Sequence, residues 1–188
     1  MKRLALGIEG AYVLESSLWP DERGFFREWF RRDVLADDGP ALNVRQANLS
    51  MSRRGVVRGL HYSLAPEGQA KLVTCAWGEL VDVIVDVRVG SPTYGEVEMV
   101  ELSADGASSV YLPEGVAHGF CVTSEIAALT YLLSSPYNGP FELEINPMDV
   151  SLRIPWPLSG DPLLSEKDAQ APSLEARRLA QELPRYAP

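Results

Sequence analysis

Between residues 44 and 133 the apolar positions fall into short β-branched or alternating runs: VRQANLSMS, GVVRGLHYS, AKLVTCAW, ELVDVIVDVRV, EVEMVELSA, SSVYLP, VAHGFCVTS and IAALTYLLS. Turn formers such as SRRG, APEG, VGSPTYG, SADGA and PEG separate them. Short strands punctuated by Gly and Pro, without long helices between them, predict an antiparallel β-sandwich or barrel. Two stretches have helical character, residues 30–35 and 173–183. The second opens on Ser173, a good N-cap after a proline, and continues as LEARRLAQEL with its apolar residues on one face. The proline-rich tail from residue 155 is expected to wrap the barrel. The whole chain, 1–188, therefore reads as one domain with its strand core at about 44–134 and a C-terminal wrap at 155–188.

In ELVDVIVDVRV, positions 81, 83, 85 and 87 are all valine, and the opposite face reads Leu80, Asp82, Ile84, Asp86, Arg88. A solvated face has no need of Leu80 and Ile84, so this mixed face is expected to line a partly enclosed cavity. A carboxylate there must be paired, because burying it alone costs several kcal/mol or shifts its pKa. Asp86 reads equally well as an ordinary surface acid.

Composition narrows the possibilities. The 188 residues, 46% of them hydrophobic, suffice for one substantial core. A net charge of -9 argues against a general nucleic-acid binder, so any anionic ligand needs a local basic pocket. Cys75 and Cys121 stand in apolar runs and read as reduced core residues. The apolar part of MKRLALGIEG is broken by Glu9 too early for a signal peptide, and no apolar run approaches the ~20 residues of a membrane span. These features predict a cytoplasmic protein with no membrane partner.

Only two histidines occur, His61 and His118. Arg58 and His61 are three residues apart and would point to opposite faces of a regular strand, unless Gly59 introduces a bulge. Metal-binding cupins combine an HxH strand with a later PxGxxH. PEGVAH, ending at His118, matches the second half, but GLHYS offers a single histidine, so a metal-free pocket is expected.

The segments DERGFFRE (21–28), RQANLSMSRRGVVRGLHYS (45–63), PEGQAKLV (66–73), GELVDVIVDVRVGSPTYG (78–95), LPEGVAHGF (112–120), TYL (130–132) and WP…PLLSEKDAQAP (156–172) closely resemble the dTDP-4-dehydrorhamnose 3,5-epimerase family, in order over nearly the whole chain. The resemblance implies an all-β, antiparallel jelly-roll (cupin-like) β-barrel with short peripheral helices, dimerising through its sheets. It also implies an enzyme without cofactor, acting on a dTDP-4-keto-6-deoxyhexose. Epimerisation beside a ketone needs a base, a group that stabilises the enolate, and an acid on the other ring face. By similarity His61 is the base, Asp168 holds its imidazole, Lys71 lies against the carbon 4 oxygen, and Tyr131 returns the proton.

Further matches imply substrate contacts. Arg23, Arg58, Gln46, Asn48 and His118 correspond to positions that meet the diphosphate or sugar, and Phe26 and Glu28 to positions around the nucleoside. Tyr137 is a second tyrosine of the pocket. Asp82 is a candidate partner of His118. The DERG segment is expected to cross to the other subunit of a homodimer. Departures lie at Ser63, where the family usually has glutamine, at Leu132 after the catalytic tyrosine, and at the inserted Asn138 and Gly139. Inversion of carbons 3 and 5, in rhamnose supply or secondary metabolism, is the leading expectation. Inversion at a single centre in an antibiotic-sugar pathway is the alternative, and a non-catalytic sugar-nucleotide binding module is the rival from another class.

Overall fold

The computed structural model describes residues 1–33 and 42–187. Its strands, in chain order, are β1 (Lys2–Ala5), β2 (Tyr12–Glu15), β3 (Leu18–Asp21), β4 (Gly24–Arg27), β5 (Gln46–Arg53), β6 (Val57–Ser63), β7 (Lys71–Trp77), β8 (Glu79–Asp86), β9 (Val97–Ser103), β10 (Ser108–Leu112), β11 (Val116–Val122), β12 (Ile126–Leu133) and β13 (Glu142–Glu144). They build a six-stranded sheet, β1-β2-β10-β7-β12-β5, and a five-stranded sheet, β13-β6-β11-β8-β9. The β3–β4 hairpin stands apart. Every ladder between these strands is antiparallel, and from β5 to β8 and again from β9 to β13 successive strands alternate between the two sheets, the mark of a jelly roll.

The period-two patterning explains how the sheets close on each other. Val73, Cys75, Val110, Leu112 and Leu129 of the first sheet interdigitate with Leu80, Ile84, Leu102 and Phe120 of the second. The mixed face of β8 is thus core rather than cavity lining along most of its length. Asp86 is fully buried and not a surface acid: Arg88 donates to it from its backbone N–H, Nε and Nη2, and Ser91 and Thr93 donate from their hydroxyls. Burial pushes the Asp86 carboxyl up, but these donors hold it net below its ordinary value.

The valine face of β8 is buried as well. Leu152, just ahead of the C-terminal wrap, and Leu174 and Leu183 within it cover that face, packing against Val81, Val83, Val85 and Val87. Tyr62 of β6 reaches out of this layer to donate to the Glu182 carbonyl at 2.8 Å. Within the wrap, Ser173 caps helix Leu174–Leu179, which stops at Ala180, shorter than the 173–183 expected. An unanticipated helix, Glu166–Ala169, precedes it; these are α2 and α1. The other expected helix, residues 30–35, runs into positions outside the described residues. The strand core also starts earlier than residue 44, because β1 and β2 extend the first sheet.

Candidate active site

His61 owes its direction to an irregularity in β6. In the ladder with β11, His61 pairs with His118 and Arg58 with Phe120, so one extra residue is accommodated on β6. Gly59, at φ +122°, occupies it against Gly119. A Cβ on Gly59 would come 2.5 Å from the Gly119 Cα and 2.8 Å from the His118 carbonyl, which is why glycine stands there. The bulge turns Arg58 and His61 into the same space. Two adjoining cavities, of about 430 and 250 Å3, share Arg58, His61, Lys71 and Tyr131 in their walls.

Each histidine is backed by a carboxylate. His61 Nε2 lies 2.7 Å from Asp168 Oδ1, and the His61 side chain keeps 43% of its surface open to the cavity. Helix α1 presents Asp168, with Ser165 as its N-cap accepting from the Asp168 N–H at 3.1 Å. Burial raises the Asp168 carboxyl, but the hydrogen bond and charge of His61, the Ser165 hydroxyl and the Gly59 N–H outweigh it and hold the group below its ordinary value. His118 Nε2 lies 2.6 Å from Asp82 Oδ1, both side chains being buried.

Lys71, at the start of β7, is buried, and its Nζ reaches the His61 carbonyl at 3.5 Å. Burial lowers this ammonium from 10.5 to about 8, against the opposing pull of Glu142 and Asp82. Tyr131 projects from β12 opposite Asn48 of β5. Gln46 Nε2 donates to Asn48 Oδ1 at 2.9 Å, and its Oε1 accepts from the Tyr137 N–H. Arg58 Nε donates to Ser52 Oγ at 3.0 Å, which aims the guanidinium.

The fold thus gathers His61, Lys71, Tyr131, Asp168, Arg58, His118, Asn48 and Tyr137 around one space, with Gln46 adjoining and Asp82 behind His118. Arg23, Phe26 and Glu28 do not reach it. Arg27 explains why: its Nη1 donates to the Gly106 carbonyl and its Nη2 to Thr74 Oγ1 at 2.8 Å. Thr74 alternates with the core residues Val73 and Cys75, so it faces outward, and the hairpin is moored on the outer side of the first sheet. There Phe26 is 68% exposed against Trp19, Arg23 pairs with Asp21, and Glu28 with Arg31. Gln69, Glu142 and Lys167 line the smaller cavity and were not singled out from the sequence, although Lys167 lies inside SEKD.

Among the described residues no three His, Cys, Asp or Glu side chains gather into a metal-binding group. No helix among them is long and apolar enough to cross a membrane. Both cysteines are buried and free.

Comparison with known proteins agrees with this architecture. The family model described as dTDP-4-dehydrorhamnose 3,5-epimerase matches residues 5–176. A Streptomyces niveus protein named dTDP-4-dehydrorhamnose 3-epimerase is 47% identical over 188 residues, 100% of this chain and 90% of its own length. NovW, a 4-keto-6-deoxy sugar epimerase from the novobiocin biosynthetic gene cluster of Streptomyces spheroides, superposes with a TM-score of 0.96 at 46% identity, over 99% of this chain and 94% of its own. ChmJ, a 3'-monoepimerase from Streptomyces bikiniensis solved with dTDP-quinovose, gives 0.92 at 42% identity, over 96% and 92%. A match spanning nearly the whole sequence, on the same fold, shows that this chain belongs to the dTDP-4-dehydrorhamnose 3,5-epimerase family.

Proposed function

We propose that the protein is a cofactor-independent epimerase of a dTDP-4-keto-6-deoxyhexose, inverting carbons 3 and 5 beside the ketone. The observation that carries this is the convergence of the His61–Asp168 pair, Lys71 and Tyr131 on one cavity. His61 takes the proton from the ring carbon, and the C–H electron pair moves onto the carbon 4 oxygen as an enolate. Lys71 stabilises that oxygen as an ammonium, in a buried setting where a charge acts strongly. Asp168 fixes the imidazole tautomer and stabilises its protonated form. The enolate collapses as Tyr131 delivers its phenolic proton to the opposite face of the carbon. The His61 imidazolium then releases its proton to solvent and the phenolate takes one up, which restores both groups. Arg58, Asn48 and His118 hold the sugar and diphosphate, and Tyr137 offers its ring to the base.

The site is completed by a second copy of the chain. Leu49, Met51 and Trp77 are 66%, 61% and 65% exposed on the outer side of the first sheet, where β5 is an unpaired edge. An apolar edge of this kind invites pairing. A homodimer formed there brings the partner's hairpin, with its Arg23, Phe26 and Glu28 positions, to the open nucleotide end. A nucleotide-linked substrate and two free buried thiols fit a cytoplasmic enzyme.

Inversion at carbon 3 alone is a second reading, favoured by the names of the Streptomyces niveus relative and of ChmJ. Incubation with dTDP-4-keto-6-deoxyglucose in heavy water separates the possibilities. Deuterium at carbons 3 and 5 supports double inversion, and deuterium at carbon 3 alone supports the second reading. No incorporation would leave only a binding module and sink both.

A further inference from the structure

Two departures from the family pattern, Ser63 and the inserted Asn138, meet at one carboxylate. Glu142 Oε1 accepts from Ser63 Oγ at 3.0 Å, from Gln69 Nε2 at 3.3 Å and from the Asn138 backbone N–H at 3.5 Å. The pairing of β13 with β6 sets Glu142 opposite Ser63. Glu142 lines the same cavity as Lys71, His61 and Tyr131. Lys71 meanwhile is a buried cation whose hydrogen bond, to the His61 carbonyl, is long at 3.5 Å. A charge in that position requires a compensating charge nearby.

The titratable and charged groups around Lys71 are Arg58 and His61 from β6, Asp82 from β8, His118 from β11, Tyr131 from β12, Tyr137 ahead of β13, Glu142 and Glu144 from β13, and Lys167 and Asp168 from α1. Arg58 shares Lys71's sign. Of the two carboxylates whose charge acts on Lys71, Asp82 is engaged by His118 at 2.6 Å, while Glu142 accepts, among the described residues, from the neutral donors Ser63, Gln69 and the Asn138 N–H; Glu144, on the same strand, is paired with Lys167 at 2.8 Å. Among the described residues the Glu142 charge is not neutralised by an ion pair of its own, and it faces the ammonium across the cavity the two residues share rather than in direct contact with it.

We propose that Glu142 is a positioning residue for the epimerisation, its carboxylate oriented by Ser63, Gln69 and Asn138 as the counter-charge that keeps Lys71 an ammonium beside the ketone oxygen. This rests on the role given to Lys71 above. Glu142 acts through Lys71: it neither takes nor gives a proton in the reaction. Burial works against the charged form of Lys71, and Glu142 is the larger of the two opposing influences. Loss of that influence leaves the lysine neutral at a lower pH, and a neutral amine stabilises an enolate poorly.

The test is the pH profile of kcat/KM for the full-length wild type, Glu142→Gln and Glu142→Asp, together with deuterium incorporation by the wild type. In Glu142→Gln the alkaline limb moves to lower pH by roughly 1 unit, and kcat/KM near pH 8 falls by roughly fivefold. Glu142→Asp retains the charge and keeps the limb near its wild-type position. A Glu142→Gln limb that coincides with the wild type, with only KM raised, overturns the proposal. If that variant does not fold, the Ser63→Ala/Gln69→Ala pair serves: it loosens the carboxylate, and its limb moves the same way by less, while an unmoved limb counts against the proposal. A wild type that incorporates no deuterium removes the reading beneath it, an outcome distinct from an unmoved limb in an active enzyme.

Discussion

His61 and His118 stand opposite one another on the neighbouring strands β6 and β11, and each imidazole is closed against its own carboxylate, Asp168 at 2.7 Å and Asp82 at 2.6 Å. The two pairs differ in exposure: His61 is open to the cavity while His118 is buried. On the proposed mechanism, that difference separates a proton carrier from a fixed contact. Asp168→Asn is expected to lower kcat by roughly 100- to 1,000-fold with little change in melting temperature, because the amide cannot stabilise the imidazolium. His61→Ala is expected to abolish deuterium incorporation. Turnover by His61→Ala at the wild-type rate would contradict the base assignment.

Tyr131→Phe should divide the reaction. The phenylalanine ring preserves packing against the inter-sheet core, where Tyr131 is half buried. Proton removal by His61 then continues, and the substrate exchanges hydrogen for deuterium with its configuration retained. NMR of recovered substrate distinguishes this from loss of both steps, the outcome that would disprove the division of labour.

Lys71 is kept at the expense of stability. The fall from 10.5 to about 8 means that holding the buried ammonium at neutral pH costs about 3 kcal/mol. Lys71→Met should therefore raise the melting temperature while turnover collapses. The sign also fixes the wild-type pH dependence. Between about 8 and 10.5 the unfolded chain holds more protons than the folded one, so this residue's contribution to stability improves as pH rises while kcat/KM falls. Thermal denaturation and kinetics across that window check both halves.

At acid pH the carboxylates decide. Asp86 and Asp168 are both held below the ordinary 3.8, so their contributions are complete above that value and disappear as pH falls through their lowered values. Asp86→Asn leaves the Arg88 guanidinium buried without its counter-charge, and should cost about 3–5 kcal/mol while leaving kcat of the folded protein intact. Urea titrations at neutral pH measure this; a change below 1 kcal/mol would show that the other partners of Arg88, the Glu9 carbonyl at 2.8 Å and the Tyr186 ring, suffice.

If the hairpin serves the neighbouring subunit, Arg23→Ala and His61→Ala should complement. Each variant alone lacks an intact site. Mixing them with subunit exchange produces heterodimers in which one site has both wild-type residues, restoring about a quarter of wild-type activity at equal amounts. Absence of any recovery despite proven exchange would place Arg23 in its own chain's site.

Much of this was legible in the sequence because it is local. Alternation in VRQANLSMS and IAALTYLLS marks β5 and β12 as strands, and the tension between Arg58 and His61 pointed to the bulge at Gly59. What was hidden is non-local. β1, KRLA, has no buried residue, so no period marks it; it is a strand because β2 lies beside it. Helix α1 spans four residues, too few for a helical period to register. The valines of β8 declared a buried face but not what buries it, since the covering residues come from the tail. Glu142 looked like any charge in an alternating strand, and only its register with Ser63 brings it to the cavity.

The bond between His61 and Asp168 joins positions 107 apart in the chain. During synthesis the barrel strands emerge well before helix α1, so a nascent chain owns its imidazole, phenol and ammonium without the carboxylate that orients them. On the role proposed for Asp168, full competence arrives when the late-synthesised wrap docks over the valine sheet. Full-rate catalysis on that reading doubles as a report that translation and closure have both finished.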